Sequence, residues 1–283
     1  DTGVAAAVLE AEDHLAMAHA ARQSPLPDAT ESNAVATALS LGAIRAYFQP
    51  IVDLKSGRVV GIEALARWSS RDGVREPDQF LRLIQQAGLS GALFERILDD
   101  GLQHLSDFRH LVPDLRLAVN FEFDTALDND LLAVVDRLLT RHRIPAEALT
   151  IEFGERQTFD VPSAVRRQLA SVAERGVHLV LDDFGTGYAS LDTLTQLPIS
   201  GVKLDRRFTS QVVDGEREPV VVKTMIAMAV EAGLTVTAEG IENRAQCDRL
   251  IRLGCRLGQG YLFALPQPAE SLVNVLTASL AAT

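Results

Sequence analysis

Cysteine is nearly missing from this chain: there are two, Cys247 and Cys255, in 283 residues. They form neither a CxxC pair nor a set of zinc ligands, and a chain of this size has no need of a disulfide, so the reducing cytoplasm is the expected location. A basic surplus is missing too. With 27 Lys and Arg against 38 Asp and Glu, the formal charge is -11, which repels phosphate backbones and argues against a groove for polymeric nucleic acid. No apolar run is long enough to span a membrane, because the longest, Val220 to Ala238, is broken by Lys223 and Glu231. No secretory signal is visible. The six histidines stand singly, none at ligand spacing from another.

What is present is an ordinary globular composition, 47% hydrophobic and 23% charged, enough for a sizeable core. The chain begins at Asp1 without a methionine, which is compatible with an upstream sensory or membrane-attached part. Residues 1–31 read as a helix and a linker, ending in the breaker run Ser24-Pro25-Leu26-Pro27-Asp28, with no catalytic role. Residues 32–283 read as one regular unit.

Within that unit, eight short apolar runs are expected as strands: Tyr47 to Leu54, Val59 to Leu65, Leu115 to Asn120, Ala148 to Glu152, His178 to Asp182, Gly201 to Leu204, Leu234 to Glu239 and Gly258 to Phe263. Helical stripes alternate with them, over 80–87, 92–110, 126–142, 163–175, 218–232 and 243–253. Runs apolar on both faces, such as Leu179-Val180-Leu181, suit a parallel sheet covered by helices. The expected fold is α/β, a (β/α)8 barrel of the TIM type, with an open doubly wound sheet as the alternative.

Polar residues fall at the ends of these runs. Glu63, Asn120, Glu152, Asp182 with Asp183, Lys203 and Glu239 each close a separate one, and in a barrel such ends converge on a single mouth. Any one of them alone is as well read as a helix cap or a surface carboxylate. Together they bring five carboxylates and one ammonium to one place, which two divalent cations would neutralise. Oxygen donors without histidine or cysteine favour magnesium or manganese. Asp182 and Asp183 are neighbours and would point to opposite faces of a straight strand, so a bend supplied by Gly185 and Gly187 is expected to turn both to the mouth. An Asx turn ending the strand is an equally good reading of that segment. The Gly185-Thr186-Gly187 run lacks the third glycine of a dinucleotide fingerprint, since Ser190 stands there. Lys203 is either a surface lysine or a charge that holds a nucleophilic water and offsets a developing phosphorane. Arg67 has a fork suited to phosphate, and Trp68 is read as packing.

These residues resemble the EAL-domain family of cyclic di-GMP phosphodiesterases. The signature tripeptide is Glu63-Ala64-Leu65. It is accompanied in order by Tyr47-Phe48-Gln49-Pro50-Ile51, Val119-Asn120, Ile151-Glu152 with Glu155, Asp182-Asp183-Phe184-Gly185-Thr186-Gly187-Tyr188, Val202-Lys203-Leu204-Asp205, Ala238-Glu239-Gly240-Ile241-Glu242 and Gln259-Gly260-Tyr261-Leu262-Phe263. The resemblance runs from about Ala43 to Pro268. It implies a barrel with one antiparallel strand and hydrolysis of cyclic di-GMP to linear pGpG with two magnesium or manganese ions, calcium being inhibitory.

By matching motif, the resemblance makes Glu63, Asn120, Glu152 and Asp182 ligands of one metal, and Asp182 with Asp183 ligands of the second. Glu239 is a metal-linked carboxylate that also takes a proton from the attacking water, which Lys203 orients. Gln49, Leu65 and Arg67 are implied as substrate contacts, with Glu155, Glu242 and Gln259 as supports around them; Glu155 braces the loop from Phe184 to Leu191. A homodimer is implied by the same analogy. The sequence departs from the family pattern at Gly154, where threonine is usual, at Phe121-Glu122 in place of small polar residues, at Ser200 for an aspartate and at Leu265 for a basic residue. None of these removes an expected ligand. Two rival readings are a receptor that binds cyclic di-GMP without cleaving it, and a barrel metal-hydrolase of unrelated substrate such as a phosphomonoester.

Overall fold

The computed structural model describes residues 29–70, 73–123, 130–158, 161–186, 196–212 and 219–281. The breaker run and most of the N-terminal segment lie outside the described residues, as do Gly187 to Leu191 of the expected loop and the first residues of the 126–142 and 218–232 stripes.

Nine strands form one sheet: β1 (Ile44–Asp53), β2 (Val59–Ser70), β3 (Gly73–Arg75), β4 (Arg116–Asn120), β5 (Leu149–Gly154), β6 (His178–Phe184), β7 (Gly201–Leu204), β8 (Thr235–Ala238) and β9 (Leu257–Gly258). The order β1-β9-β8-β7-β6-β5-β4-β2, with β1 also bonded to β2, closes an eight-strand ring, and β3 hangs on the outside of β2. β1 is antiparallel to both its neighbours, β2 and β9, whereas the ring from β2 through β4 to β9 is parallel. The (β/α)8 expectation, including one antiparallel strand, is thereby met. Closure decides against the open sheet, because a doubly wound sheet leaves two edges unpaired.

The core lies between the outer face of the ring and its helices. Alternate residues of each strand point outward, and these are the apolar ones: Ile62, Leu117, Val119, Ile151, Phe153, Leu179, Leu181, Val202, Leu204 and Val236 are all buried. Each such side chain contributes about 1.5–3 kcal/mol on burial. Helix α3 (Ser90–Phe108) shows how the cover is made. It follows α1 (Ala29–Ser40) and α2 (Leu81–Gln86) and places Leu93, Phe94, Ile97, Leu98, Leu102 and Leu105 on one buried stripe against β1, β2 and β4.

The remaining helices are α4 (Leu131–His142), α5 (Ser163–Glu174), α6 (Arg206–Thr209), α7 (Val220–Glu231), α8 (Arg244–Arg252) and α9 (Ala269–Ala281). Their starts follow side-chain chemistry: Asp130 caps α4 through Ala133 N at 3.1 Å, and Asn243 with Gln246 forms a capping box on α8. No described helix is long and apolar enough to cross a membrane.

Two details differ from the expected elements. The run Gly258 to Phe263 is strand only at its start. At Gly260 (φ 156°) the chain passes so close to Ile241 that any Cβ would overlap the Ile241 backbone, and Ile241 N donates to Gln259 O while Leu262 N donates to Ile241 O. The aromatic residues that made this segment look extended therefore lie in a turn. The short β3 was not expected; the Asp72-Gly73 pair is the hairpin signal that points to it.

Candidate active site

Strand alternation places one polar side chain from every barrel strand in a single inward layer at the C-terminal mouth. Gln49 and Glu63 are cross-strand partners, as are Asn120 and Glu152. Asp182, Lys203, Glu239 and Gln259 complete the ring from β6, from β7 and from the ends of β8 and β9. Glu239 N donates to Leu204 O, and Gln259 N donates to Ala238 O, so both follow directly on the ladder.

Lys203 stands at the centre and is fully buried. Its Nζ lies 2.7 Å from Glu239 Oε1, 2.9 Å from Glu152 Oε2, 3.1 Å from Glu63 Oε2 and 3.8 Å from Asp182 Oδ2. Glu63 is further held by amides, for Asn120 Nδ2 donates to its Oε1 at 2.7 Å and Gln259 Nε2 to its Oε2 at 2.8 Å. Because Asn120 spends its amide donor on Glu63, its Oδ1 is left as an oxygen donor for another partner. Gln259 also donates to Gln49 Oε1 at 2.9 Å, and its own Oε1 is buried without a partner.

The charges in this layer are unequal. Burial would raise the Glu63 carboxyl, but Lys203 and the amides of Gln259 and Asn120 hold it below the usual carboxylate range. Burial pushes Glu152 well above that range, with the Glu63 and Asp182 charges adding to it and Lys203 opposing. Asp182 is raised chiefly by burial. Glu239 is pushed up to about 8 by burial and by Asp182 and Glu63, against the pull of Lys203. Burial disfavours the ammonium of Lys203, yet Asp182, Glu152, Glu239 and Glu63 drive its pKa well above the ordinary lysine value. The sequence suggested that one ammonium and two divalent cations would balance the carboxylates. In the fold, Lys203 lies within 4 Å of four of them, and the amides of Asn120 and Gln259 add their donors at Glu63.

The bend at the end of β6 is made earlier than the glycines suggested. Asp183 itself adopts φ 56°, Gly185 follows at φ 101°, and the β6–β7 register is irregular between Leu181 and Phe184. Asp183 N donates to Asp182 Oδ1 at 2.8 Å. Aspartate tolerates the left-handed region better than most residues, and there the carboxyl of Asp183 comes within ligand range of Asp182 and Glu239: oxygens of the three lie within 4.8 Å of one another, close enough to hold one metal ion. Burial, the Asp182 charge and a hydrogen bond to Asp205 push Asp183 up to about 6. An all-oxygen set of carboxyls whose ionised form burial disfavours fits a hard divalent cation, which would favour that form.

Beside the ring opens a cavity of about 470 Å³, lined by Gln49, Glu63, Leu65, Glu239, Glu242 and Gln259 together with Arg206, Arg207 and Tyr261. Arg67 does not line it: the residue is buried, and its Nη1 donates to Ala66 O at 2.9 Å. Arg206, Arg207 and the exposed Tyr261 were not singled out from the sequence. The same strand-end rule would have found the two arginines, which follow Asp205 directly after β7. Glu155 is buried, and its Oε2 accepts from Thr186 N at 2.7 Å and Thr186 Oγ1 at 3.0 Å. Glu155 thus meets the chain at Thr186, the last described residue before the rest of the expected loop. Among the described residues, only Gln157 Nε2 comes near where a Cβ on Gly154 would stand, at 3.7 Å.

A closed barrel whose strand ends converge on a carboxylate ring has known counterparts. Residues 32–266 match the family model described as EAL domain, and the chain belongs to that family. It is 33% identical over 246 residues to "Cyclic di-GMP phosphodiesterase RocR" of Pseudomonas aeruginosa, an alignment covering 87% of this chain and 63% of RocR. It is 35% identical over 230 residues to "Cyclic di-GMP phosphodiesterase PA2567" of the same organism, covering 81% of this chain and 39% of that protein. The chain therefore spans less than two thirds of either relative. Among solved structures, "PaMucR Phosphodiesterase, c-di-GMP complex" superposes with a TM-score of 0.80 at 32% identity, covering 86% of this chain and 99% of that one.

Proposed function

We propose that this chain hydrolyses cyclic di-GMP to linear 5′-pGpG in a reaction that requires two magnesium or manganese ions, with calcium inhibitory. The observation that carries this reading is the inward polar ring of eight residues, seven of them around Lys203, in a chain of the EAL family. Glu63, Asn120, Glu152 and Asp182 would hold one ion, Asp182 and Asp183 the other, and Glu239 would be linked to them. When bound, such ions lower the pKa of an attacking water and shield the charge of a phosphodiester.

The remaining roles belong to this chain's own residues. Glu239 sits half-buried at the mouth, 2.7 Å from Lys203, where its ionised carboxylate would take the proton from the attacking water. Lys203 has its three donors committed to Glu63, Glu152 and Glu239. To orient a water it gives up one of them, and the ammonium then opposes negative charge developing on the phosphorus. Gln49, Leu65 and Gln259 would contact the dinucleotide in the adjoining cavity, and Arg206 and Arg207 would face its phosphates, whereas Glu242 stands on the rim. Arg67 would reach the ligand only after releasing the Ala66 carbonyl. Glu155 would position the loop after Phe184. We further propose that residues 32–283 work as the phosphodiesterase barrel, that 1–31 end an upstream regulatory region, and that the barrel acts in the cytoplasm as a homodimer.

The test is turnover of cyclic di-GMP beside that of a generic phosphomonoester, in magnesium, manganese, calcium and excess chelator. The reading expects pGpG in the first two conditions alone, with the phosphomonoester left intact. Activity in chelator, brisk hydrolysis in calcium or preference for the phosphomonoester would contradict it; tight binding without turnover would support the receptor reading instead.

A further inference from the structure

The barrel interior holds a second cavity, of about 360 Å³, at the end opposite the carboxylate ring. It exists because the inward layer beneath the ring is underfilled. Gly61, Ala118 and Gly201 stand where a barrel interior ordinarily carries branched aliphatic side chains. The space they leave is walled by Ile51, Val180 and Leu257, and Val180 and Leu257 are only partly buried. Thr150 and Thr237 also line it, and neither makes a side-chain hydrogen bond among the described residues.

The rim is cationic on one side. Arg116 opens β4 there, exposed and near enough to His178 for its charge to act on the imidazole. Arg256 shares the rim but is drawn to Asp53 at 3.5 Å. Arg116, by contrast, has no ion pair or side-chain hydrogen bond among the described residues. The only carboxylates in the lining are the exposed Asp114 and Glu152, and Glu152 is already taken by Lys203.

We propose that this lower chamber is a binding site for a compact organic monoanion, its carboxylate set against Arg116 and its apolar body, of about one ring, packed between Ile51, Val180 and Leu257. The walls reject a bare inorganic anion, which would leave apolar surface wet, and the guanidinium favours the carboxylate over its neutral counterpart. Because Glu152 separates this chamber from the site above, the occupant touches the carboxylate ring from below. The site is independent of the phosphodiesterase reading, since it uses none of the metal-facing oxygens.

The probe is benzoate, titrated calorimetrically into the metal-free full chain, with benzyl alcohol and inorganic phosphate as controls. Benzoate should bind saturably at a single site, about tenfold or more tighter than either control. Arg116→Met should weaken it by about tenfold. Gly61→Val should weaken it by about tenfold by taking space from the chamber; a Cβ at Gly61 would meet nothing closer than 3.6 Å. If thermal unfolding shows that Gly61→Val is not folded, the exposed Arg116→Met decides alone. Absence of saturable benzoate binding, phosphate binding as tight as benzoate, or unchanged affinity in Arg116→Met would overturn the proposal.

Discussion

Two layers of the barrel interior lie a step of two residues apart on every strand and could hardly differ more. The upper one is polar at all eight positions, from Gln49 and Glu63 round to Gln259, whereas the lower one is Ile51, Gly61, Ala118, Thr150, Val180, Gly201, Thr237 and Leu257. Strands, helices and outward core are common to both. The contrast teaches that the chemistry of this protein is written in one register layer, on a scaffold that the other layer shares without contributing charge. It also shows what dense charge requires: every carboxylate above has a donor or a cation beside it, and the layer below has nothing to compensate.

Substitutions can break or sharpen this contrast. The largest effect is expected from Asp182→Ala or Glu63→Ala, each of which should lower cyclic di-GMP turnover by roughly a hundredfold or more, the scale of losing one preorganised group at a reacting centre. Steady-state kinetics with near wild-type rates would remove the upper layer's special standing. Next comes Lys203→Met, which leaves four buried or half-buried carboxylates facing one another. Urea unfolding of the metal-free variant should show a loss of about 3–5 kcal/mol, partly restored by magnesium. In the lower layer, Thr237→Val removes a hydroxyl that has no hydrogen-bond partner among the described residues and should change stability by less than about 1 kcal/mol.

The pH dependence sharpens the same comparison. Glu239 ionises near 4.5 in the unfolded chain and about 8 in the fold, so the folded state binds more protons between those values. Its contribution to stability is complete below 4.5 and is lost as the pH rises through 8. Thermal unfolding of the metal-free protein should therefore move to lower temperature between pH 5 and 8, and magnesium should suppress the trend. A metal-free melting temperature that climbs steadily over that range would show that the upper layer is not storing protons.

Much of this was legible before any coordinates. Apolar runs that stop at a polar residue gave the strand ends, and Gly201 to Leu204 was bounded correctly because Lys203 interrupts an otherwise aliphatic run. That these polar residues share one inward layer was legible for the same reason. Other features depend on tertiary contacts that leave no local mark. The turn at Gly260 exists because the backbone meets Ile241, and the bend expected from Gly185 and Gly187 begins at Asp183 itself. Arg67 read as a free fork, yet it is buried on its own strand's carbonyl. The lower cavity was invisible because it is made of missing side chains, and isolated glycines in strands suggest bulges before they suggest space.

The central claim is that the upper layer holds protons in trust for divalent cations. Titrating Mn2+ into the metal-free protein at pH 7, in two buffers of different ionisation enthalpy, measures that exchange. The account predicts saturable binding of two ions with net proton release, chiefly from Glu239 and Glu152; binding without proton release, or no binding at all, would contradict it.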